Sequence, residues 1–159
     1  MKSLNAAAGA LEAGNDDVQS VKDWLAGGIL AFAVVITNAG AAIVTNRVTQ
    51  AGTAPKDIGW GIGTTAAAVT DTTLGTESAP TTAGGRTVGT ESRVTTTVTN
   101  DTYQVAGTVT AGGTLAITEA GLFDAVTSGN MLIHAVFAAI NVVNLDAINF
   151  TFGLKFVPA

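Results

Sequence analysis

Residues 147–156 read Ala-Ile-Asn-Phe-Thr-Phe-Gly-Leu-Lys-Phe, and this stretch decides the fold class. Large apolar side chains recur at every second position, from Ile148 to Phe156, whereas the positions between them hold smaller or polar residues. A period of two places the apolar side chains on one face of a β-strand. We therefore predict a central strand here, whose apolar face packs into the core of a β-sandwich.

Seven other segments have a strand-like composition, and turn residues separate them at fairly regular spacing. Residues 115–123 keep the alternation except at 119–121, which favours a β-bulge there. Residues 64–92 hold only scattered apolar side chains and predict a long loop. Together these patterns predict a mainly β protein, an antiparallel β-sandwich or jelly roll. The seven segments are 29–36, 42–50, 57–64, 93–99, 103–110, 115–123 and 131–138.

The first 28 residues have a different pattern. Residues 1–15 are rich in Ala, Gly and Asn, which predicts an extended arm that needs a partner to hold it. Asn15 and the two aspartates after it are typical of a helix start, because Asn caps free amides and carboxylates suit the positive end of the helix dipole. Apolar residues at helical spacing then predict a short amphipathic helix that ends near Gly27. We therefore divide the chain into an N-terminal arm and helix, 1–28, and a β-sandwich domain, 29–159.

Ionised side chains are scarce in this chain. Asp, Glu, Lys and Arg make up 12% of the residues, against roughly 25% in soluble domains. Much of the surface must therefore be uncharged, and large apolar patches usually mark interfaces. This favours a homo-oligomer or a subunit of a larger shell. The net charge of -5, with seven Lys and Arg, argues against nucleic-acid binding, which depends on clustered cations.

Reactive side chains are equally few. The chain has no Cys, which excludes disulfides, thiolate nucleophiles and zinc–thiolate sites. The single histidine, His134, lies within a predicted strand, where a structural, hydrogen-bonded role is favoured over general-base catalysis. Glu119 and Asp124 bracket a turn, and we expect them to hydrogen-bond the backbone rather than act as a glycosidase pair. We predict no enzymatic activity, no catalytic residues and no cofactor.

Metal binding is also disfavoured. The nearest carboxylate pairs are Asp16 with Asp17 and Asp71 with Glu77. Neither pair has the Asp-x-Asp-x-Asp-Gly spacing of a calcium loop. Helix capping and loop solvation explain these residues more simply, so we predict no metal site.

Three alternating glycines, Gly59, Gly61 and Gly63, suggest a nucleotide-binding loop at first sight. No Lys-Ser or Lys-Thr follows them to bind a phosphate, so that interpretation is weak. Glycine on one face of a strand more often means that another part of the backbone lies close to it. We therefore expect Trp60 and Ile62 on one face and close backbone packing on the other.

Residues 25–44 are apolar apart from Thr37 and Asn38, and a run of this length can span a bilayer. The run contains three glycines and a turn signal at 37–40, and its two halves are rich in Val and Ile. These features favour a buried β-hairpin over a membrane helix. We expect no membrane partner.

Two stretches resemble a pattern found in tailed-bacteriophage virion proteins. The first is Gly59-Trp60-Gly61-Ile62-Gly63-Thr64-Thr65, followed by Thr73-Leu74-Gly75-Thr76-Glu77. The second is Ile117-Thr118-Glu119-Ala120-Gly121-Leu122-Phe123-Asp124-Ala125, followed by Gly129-Asn130-Met131-Leu132 and the closing strand. Together they cover roughly residues 57–157 in the expected order. The N-terminal 50 residues depart from the pattern.

The resemblance implies a capsid cement or decoration protein, made in the bacterial host cytoplasm and located on the outer surface of the capsid. Such a protein would act as a homotrimer that bridges major capsid subunits and stabilises the phage head, so its partners would be itself and the major capsid protein. The alternative is a neck, tail or fibre protein with a receptor- or carbohydrate-binding role, for which residues 64–92 would form the binding tip.

Large apolar side chains near the N-terminal helix and the first strands are the expected sites of contact between subunits or with the capsid. They are chosen because a charge-poor protein that assembles should bury such side chains against its neighbours. These residues are Val18, Val21, Trp24, Leu25, Phe32 and Trp60.

Overall fold

The computed structural model describes residues 2–5, 20–25, 28–78 and 86–156, with side-chain detail for 34–78 and 86–156. Eleven strands and one helix lie in these ranges. The helix, α1, is Asn38–Val48. The strands are β1 Lys2–Asn5, β2 Ser20–Leu25, β3 Gly28–Ile36, β4 Asp57–Gly61, β5 Glu77–Ser78, β6 Thr87–Val88, β7 Thr90–Val94, β8 Thr102–Thr110, β9 Leu115–Phe123, β10 Met131–Val142 and β11 Ala147–Lys155.

The strands form two sheets, as a sandwich requires. A four-stranded sheet has the order β1-β11-β8-β7, and a seven-stranded sheet has the order β2-β3-β10-β9-β4-β5, with β6 also paired to β4. β1 runs parallel to β11, and the other described pairs are antiparallel. The chain is mainly β, with two sandwich-like sheets and a short helix in its N-terminal region, which confirms the predicted fold class. The jelly-roll connectivity stays a prediction.

The strand predicted from residues 147–156 lies inside the four-stranded sheet, between β1 and β8. Phe156 follows the end of the strand and is 46% exposed, so the predicted apolar face extends only as far as residue 154. Phe150 packs edge-on against Trp60 of the other sheet, with 6.4 Å between the ring centroids. The side chains of β11 buried in the core are Ile148, Phe150, Phe152 and Leu154.

The helix does not lie where the sequence pattern placed it. Ser20–Leu25 is a strand paired with β3, so the predicted helix over these residues is wrong; residues 6–19 lie outside the described part. Pairing along β3 satisfies the backbone of both strands, and this overrides the local helical spacing. The helix instead occupies Asn38–Val48, where the second strand of a hairpin was predicted.

Thr37 explains why α1 begins where a turn was predicted. Its hydroxyl accepts the Gly40 N–H at 2.9 Å, which caps the first turn, and donates to the Met131 carbonyl. Gly40 lies directly against β10, since a Cβ there would be 3.0 Å from Leu132 Cα. Ile43, one turn later, is buried in the core. The helix therefore packs against the start of β10.

The predicted bulge at 119–121 is also wrong. β9 pairs continuously with β4 through these residues, from Gly61 opposite Glu119 to Gly59 opposite Gly121. The register shifts lie in the partner strand β10, between Met131 and Ile133 and between Val136 and Ile140. The apolar alternation breaks here because Glu119 places a buried carboxylate in a regular strand.

Part of the long loop predicted at 64–92 forms short strands at both sheets. β6 pairs with β4, and β7 pairs with β8, so residues 87–94 pass from one sheet to the other at Gly89. Gly89 donates its N–H to the Lys56 carbonyl at 2.7 Å, and a Cβ there would lie 2.6 Å from Val105 Cγ1. The crossing therefore requires glycine.

Among the described residues, no helix has the length and apolar character needed to cross a membrane. The described residues of the apolar run at 25–44 are divided among the end of β2, β3 and α1.

Candidate functional site

A loop lies directly on the outer face of the seven-stranded sheet, and we call residues 62–76 the outer loop. Glycines of β4 and β9 lie beneath and beside this loop. A Cβ at Gly59 would lie 2.8 Å from Glu77 Oε1, and one at Gly121 would lie 3.1 Å from Leu74 Cδ2. At Gly61 a Cβ would overlap the Thr76 carbonyl oxygen. The expectation of close backbone packing at the alternating glycines is confirmed at Gly61, whereas Gly59 meets side chains. The expectation that Ile62 shares a strand face with Trp60 is wrong, since β4 ends at Gly61 and Ile62 is 42% exposed.

Glu119, on the sheet beneath the outer loop, holds the loop in place through hydrogen bonds. It projects from β9 and is 1% exposed. Its carboxylate accepts three backbone N–H groups of the loop, from Gly63 at 2.9 Å, Gly75 at 2.8 Å and Thr76 at 2.7 Å. Burial raises the pKa of Glu119, but these backbone hydrogen bonds and one to His134 outweigh it, so the pKa lies below its ordinary value. The carboxylate is therefore ionised at neutral pH.

His134 joins Glu119 to a second carboxylate, on the loop itself. Its Nε2 lies 3.1 Å from Glu119 Oε2, and its Nδ1 lies 2.7 Å from Asp71 Oδ2. Burial raises the pKa of Asp71, but the Ala68 N–H and His134 outweigh it, and the pKa is lowered. Ionised carboxylates only accept hydrogen bonds, so each ring nitrogen faces an acceptor. The imidazole ring of His134 therefore bridges the two carboxylates.

Further contacts attach the outer loop to the sheet and to α1. Leu74 is buried with Phe123 and Met131 in a second, smaller apolar cluster. Thr118 donates its hydroxyl to the Gly63 carbonyl at 2.7 Å. The backbone N–H of Asn38, at the start of α1, donates to the Val69 carbonyl at 2.7 Å. The outer loop is thus tied to β9, β10 and α1.

Arg86 holds the adjoining turn against the same face of the sheet. Its guanidinium lies 3.2 Å from the ring centroid of Phe123 and pairs with Glu77 at 2.8 Å. It also donates to the carbonyls of Ala125 and Ser128. One buried cation therefore connects β5, β9 and the turn at 124–130.

The Asp71–His134–Glu119 arrangement resembles a catalytic chain, but its histidine is shielded from solvent. A general base needs an accepting nitrogen that a substrate can reach, whereas both nitrogens of His134 are used and its side chain is 4% exposed. The nearby Thr118 hydroxyl is already donated to a backbone carbonyl. The predicted hydrogen bonding of His134 is confirmed, and its structural role stays a prediction.

The other carboxylates predicted from the sequence also bond within the protein. Asp124 accepts the Asn130 backbone N–H at 2.7 Å, and Glu119 accepts the loop, so both hydrogen-bond the backbone as expected. Asp71 and Glu77 have separate partners, His134 and Arg86. Within the described residues, no group of three or more His, Asp or Glu could hold a metal ion. Asp16 and Asp17 lie outside them.

The predicted contact residues fall into three groups. Trp60 is 0% exposed and lies between the two sheets, so the prediction that its side chain contacts a neighbouring subunit is wrong. Val18 lies outside the described residues. The remaining four lie on β2 and β3, but their side chains are outside the described part; these are Val21, Trp24, Leu25 and Phe32.

A groove of about 670 Å³ lies elsewhere, between α1 and the four-stranded sheet. Ile43, Leu154 and Phe156 contribute apolar surface to it, and Arg47 and Arg93 contribute charge. The Tyr103 hydroxyl lies in hydrogen-bonding range of the Pro55 carbonyl at 3.0 Å and of Glu91 at 3.1 Å. Burial, and then Glu91, raise the pKa of this tyrosine.

Sequence reasoning missed the fastening role of Glu119. A signal was present, because Glu119 interrupts the apolar alternation of β9 where a strand covered on both faces should hold an uncharged residue. The two stretches that resemble virion proteins meet at this point, since Gly63, Gly75 and Thr76 of the first bond to Glu119 of the second. No family model matches this chain, and no curated protein or solved structure matches it either.

Proposed function

We propose that this protein is a non-enzymatic virion structural protein, a capsid cement or decoration protein that acts as a homotrimer and bridges major capsid subunits. The observation that carries the proposal is the chemistry of the outer loop. Its fifteen residues, 62–76, contain one ionisable side chain, Asp71, and that side chain is bonded internally. Ile62 and Val69 are 42% and 53% exposed.

Such a surface suits association because little opposes its burial. Removing charges from water costs free energy unless each is paired in the complex, and here the exposed side chains are mainly Ala, Thr, Ile and Val. Ordering a mobile loop also opposes binding. Glu119 and His134 hold the backbone of this loop in place before any partner arrives. The outer loop is therefore a preorganised, uncharged docking surface.

Two further observations support the virion assignment. The two stretches that resemble tailed-bacteriophage virion proteins supply the outer loop and Glu119, which holds it. The resemblance therefore covers segments that contact each other in the fold. The imidazole of His134 is bonded to Asp71 and Glu119, which favours a structural role over hydrolytic chemistry.

The proposal is tested by placing a charge on the outer loop. Val69→Lys should abolish self-association and binding to capsids lacking the protein, because the lysine would have to be desolvated in the interface. The matched control is Val143→Lys in the turn between β10 and β11, where the valine is 55% exposed. Light scattering and capsid co-sedimentation measure the two effects. Equal behaviour of the two variants, or a stable wild-type monomer that ignores capsids, would contradict the proposal.

The alternative, a neck, tail or fibre protein with a receptor- or carbohydrate-binding role, is favoured by one observation. The groove beside α1 combines the aromatic residues Tyr103 and Phe156 with Arg and Glu side chains, a mixture suited to a small polar ligand. Glycan binding that is lost in Phe156→Ala and retained in Val143→Ala would favour this alternative. Copy number per virion separates the two, since a cement protein matches the capsid subunit in abundance and a neck protein is present in a dozen or fewer copies.

A further inference from the structure

The outer loop is attached to the sheet mainly through side chains that can gain or lose a proton. Glu119 is the common acceptor for backbone donors at both ends of the loop, at Gly63 and at Gly75 with Thr76. Asp71, in the middle of the loop, reaches the sheet through His134 alone. The polar attachments to the sheet therefore pass through two carboxylates and one imidazole, besides the Thr118 hydroxyl.

Close packing excludes water from the contact between Gly63 and Glu119. A Cβ at Gly63 would lie 2.5 Å from Glu119 Oε1, so there is no room for a water molecule between the loop and the carboxylate. If Glu119 takes up a proton, one of its oxygens becomes a donor and faces N–H groups that also donate. The Gly63 bond is buried and the Gly75 and Thr76 bonds are partly buried, so these amides lose their acceptor and recover full hydrogen bonding when the loop lifts into water.

From this geometry we infer that Glu119, His134 and Asp71 form an acid-sensitive latch, which releases residues 62–76 at low pH while the sandwich stays folded. This inference rests on the proposed function for its consequence, namely that acid would withdraw the docking surface and detach the protein from its partners. The latch itself is a property of the single chain.

The direction of the pH effect follows from linkage between proton uptake and opening. Burial raises the pKa of Glu119, but the hydrogen bonds of the closed structure outweigh burial and hold this pKa below its ordinary value of 4.5. Closure is therefore favoured above pH 4.5, and this preference is lost as the pH falls through the lowered value. Asp71 acts in the same direction below its ordinary value of 3.8.

Other charged groups near the latch do not reverse this direction. Glu77 and Arg86 form their own ion pair across Gly59. Asp57, on β4, has a pKa raised by burial, although Lys56 and Arg86 lower it in part. Its protonation therefore favours the folded sheet in acid, which helps to separate release of the loop from unfolding of the sandwich.

Native-state amide exchange on the wild-type chain tests the latch directly. After correction for intrinsic exchange rates, protection of the Gly63, Gly75 and Thr76 amides should fall about tenfold per pH unit below pH 4.5, since one proton is taken up on opening. Amides of β8 and β11 should keep their protection over the same range. Loop and core amides that lose protection together, or loop amides that stay protected to about pH 3, would overturn the inference.

Variants identify the group responsible. Glu119→Gln should expose the loop amides at neutral pH and lose most of the pH dependence, whereas Glu91→Gln, a carboxylate at the groove, should behave as wild type. If Glu119→Gln does not fold, Asp71→Asn weakens the contacts of Asp71 with His134 and with the Ala68 N–H, leaves Glu119 in place, and should give an intermediate exchange profile. A wild-type profile in Asp71→Asn would count against the latch.

Light scattering at neutral and acid pH separates this inference from the proposed function. Acid-induced opening without any self-association at neutral pH would leave the latch intact and contradict the assembly role. Association that persists in acid while the loop amides exchange freely would show that the outer loop is not the docking surface. Association with no acid opening would overturn the latch alone.

Discussion

Gly63→Ala is expected to destabilise the protein through a single methyl group. The added Cβ would lie 2.5 Å from Oε1, 2.8 Å from Cδ and 2.9 Å from Oε2 of Glu119. The two groups would have to separate to the 3.4 Å at which ordinary contact begins. Such a shift breaks the Gly63 N–H bond to Oε1, now 2.9 Å long, whether the carboxylate withdraws or the loop lifts.

The destabilisation combines a broken hydrogen bond with the strain of an added methyl group. A hydrogen bond to a charged group contributes about 1.5–3 kcal/mol, and forcing an extra methyl into a packed site costs about 1–3 kcal/mol. The smaller conformational freedom of Ala in the unfolded chain offsets about 0.4–1 kcal/mol of this. We therefore expect Gly63→Ala to lower the free energy of unfolding by about 2–5 kcal/mol.

Gly113→Ala is the matched control, because a Cβ at Gly113 would meet nothing within 4 Å. It should leave stability unchanged or raise it by about 0.4–1 kcal/mol. Urea unfolding followed by tryptophan fluorescence measures both variants, since Trp60 is buried in the core. If Gly63→Ala and Gly113→Ala agree within about 0.5 kcal/mol, the claim that Glu119 and the loop are in tight contact is refuted.

Three further predictions concern other polar contacts. Thr37→Ala should lose about 1 kcal/mol of unfolding free energy, because Gly40 and Met131 both lose a partner, and Thr37→Ser should recover most of it in the same urea assay. Burial raises the pKa of Asp101, but backbone hydrogen bonds from residues 96–98 outweigh it and bring the pKa well below its ordinary 3.8. The contribution of Asp101 to stability is therefore present above pH 3.8 and lost in stronger acid. Asp101→Asn should flatten the acid side of a plot of the urea midpoint against pH. Nitrogen NMR of His134, the only histidine, should show both ring nitrogens in hydrogen bonds, and a ring nitrogen without one would contradict the contacts assigned to it.

Glycine placement gave the most useful local information about the site. Alternating glycines on β4 indicated that another part of the backbone lies against that strand, and the outer loop does so at Gly61. The pattern did not indicate which part of the chain supplies the loop or what attaches it. The acceptor, Glu119, is 56 residues from Gly63 and 43 from Thr76. No local period carries information over that distance.

The helix was misplaced for a related reason. Residues 20–25 have apolar side chains at helical spacing, yet they pair with β3, whose other edge pairs with β10. Residues 38–48 have weak helical amphipathicity, and the helix forms there because Thr37 caps it and β10 supports its first turn. Both choices depend on backbone partners supplied by distant strands.

The sequence by itself determined the fold class and the central strand β11, because a period of two in large apolar side chains fixes which face of a strand is buried. It also determined that His134 would be hydrogen-bonded and that another part of the backbone would lie close to the alternating glycines, as it does at Gly61. Only the tertiary structure decided that Trp60 is core, that α1 follows β3, and that Glu119 and His134 hold the outer loop. Those outcomes depend on which buried donors and acceptors from distant segments meet, and a buried carboxylate is tolerated only where such partners converge.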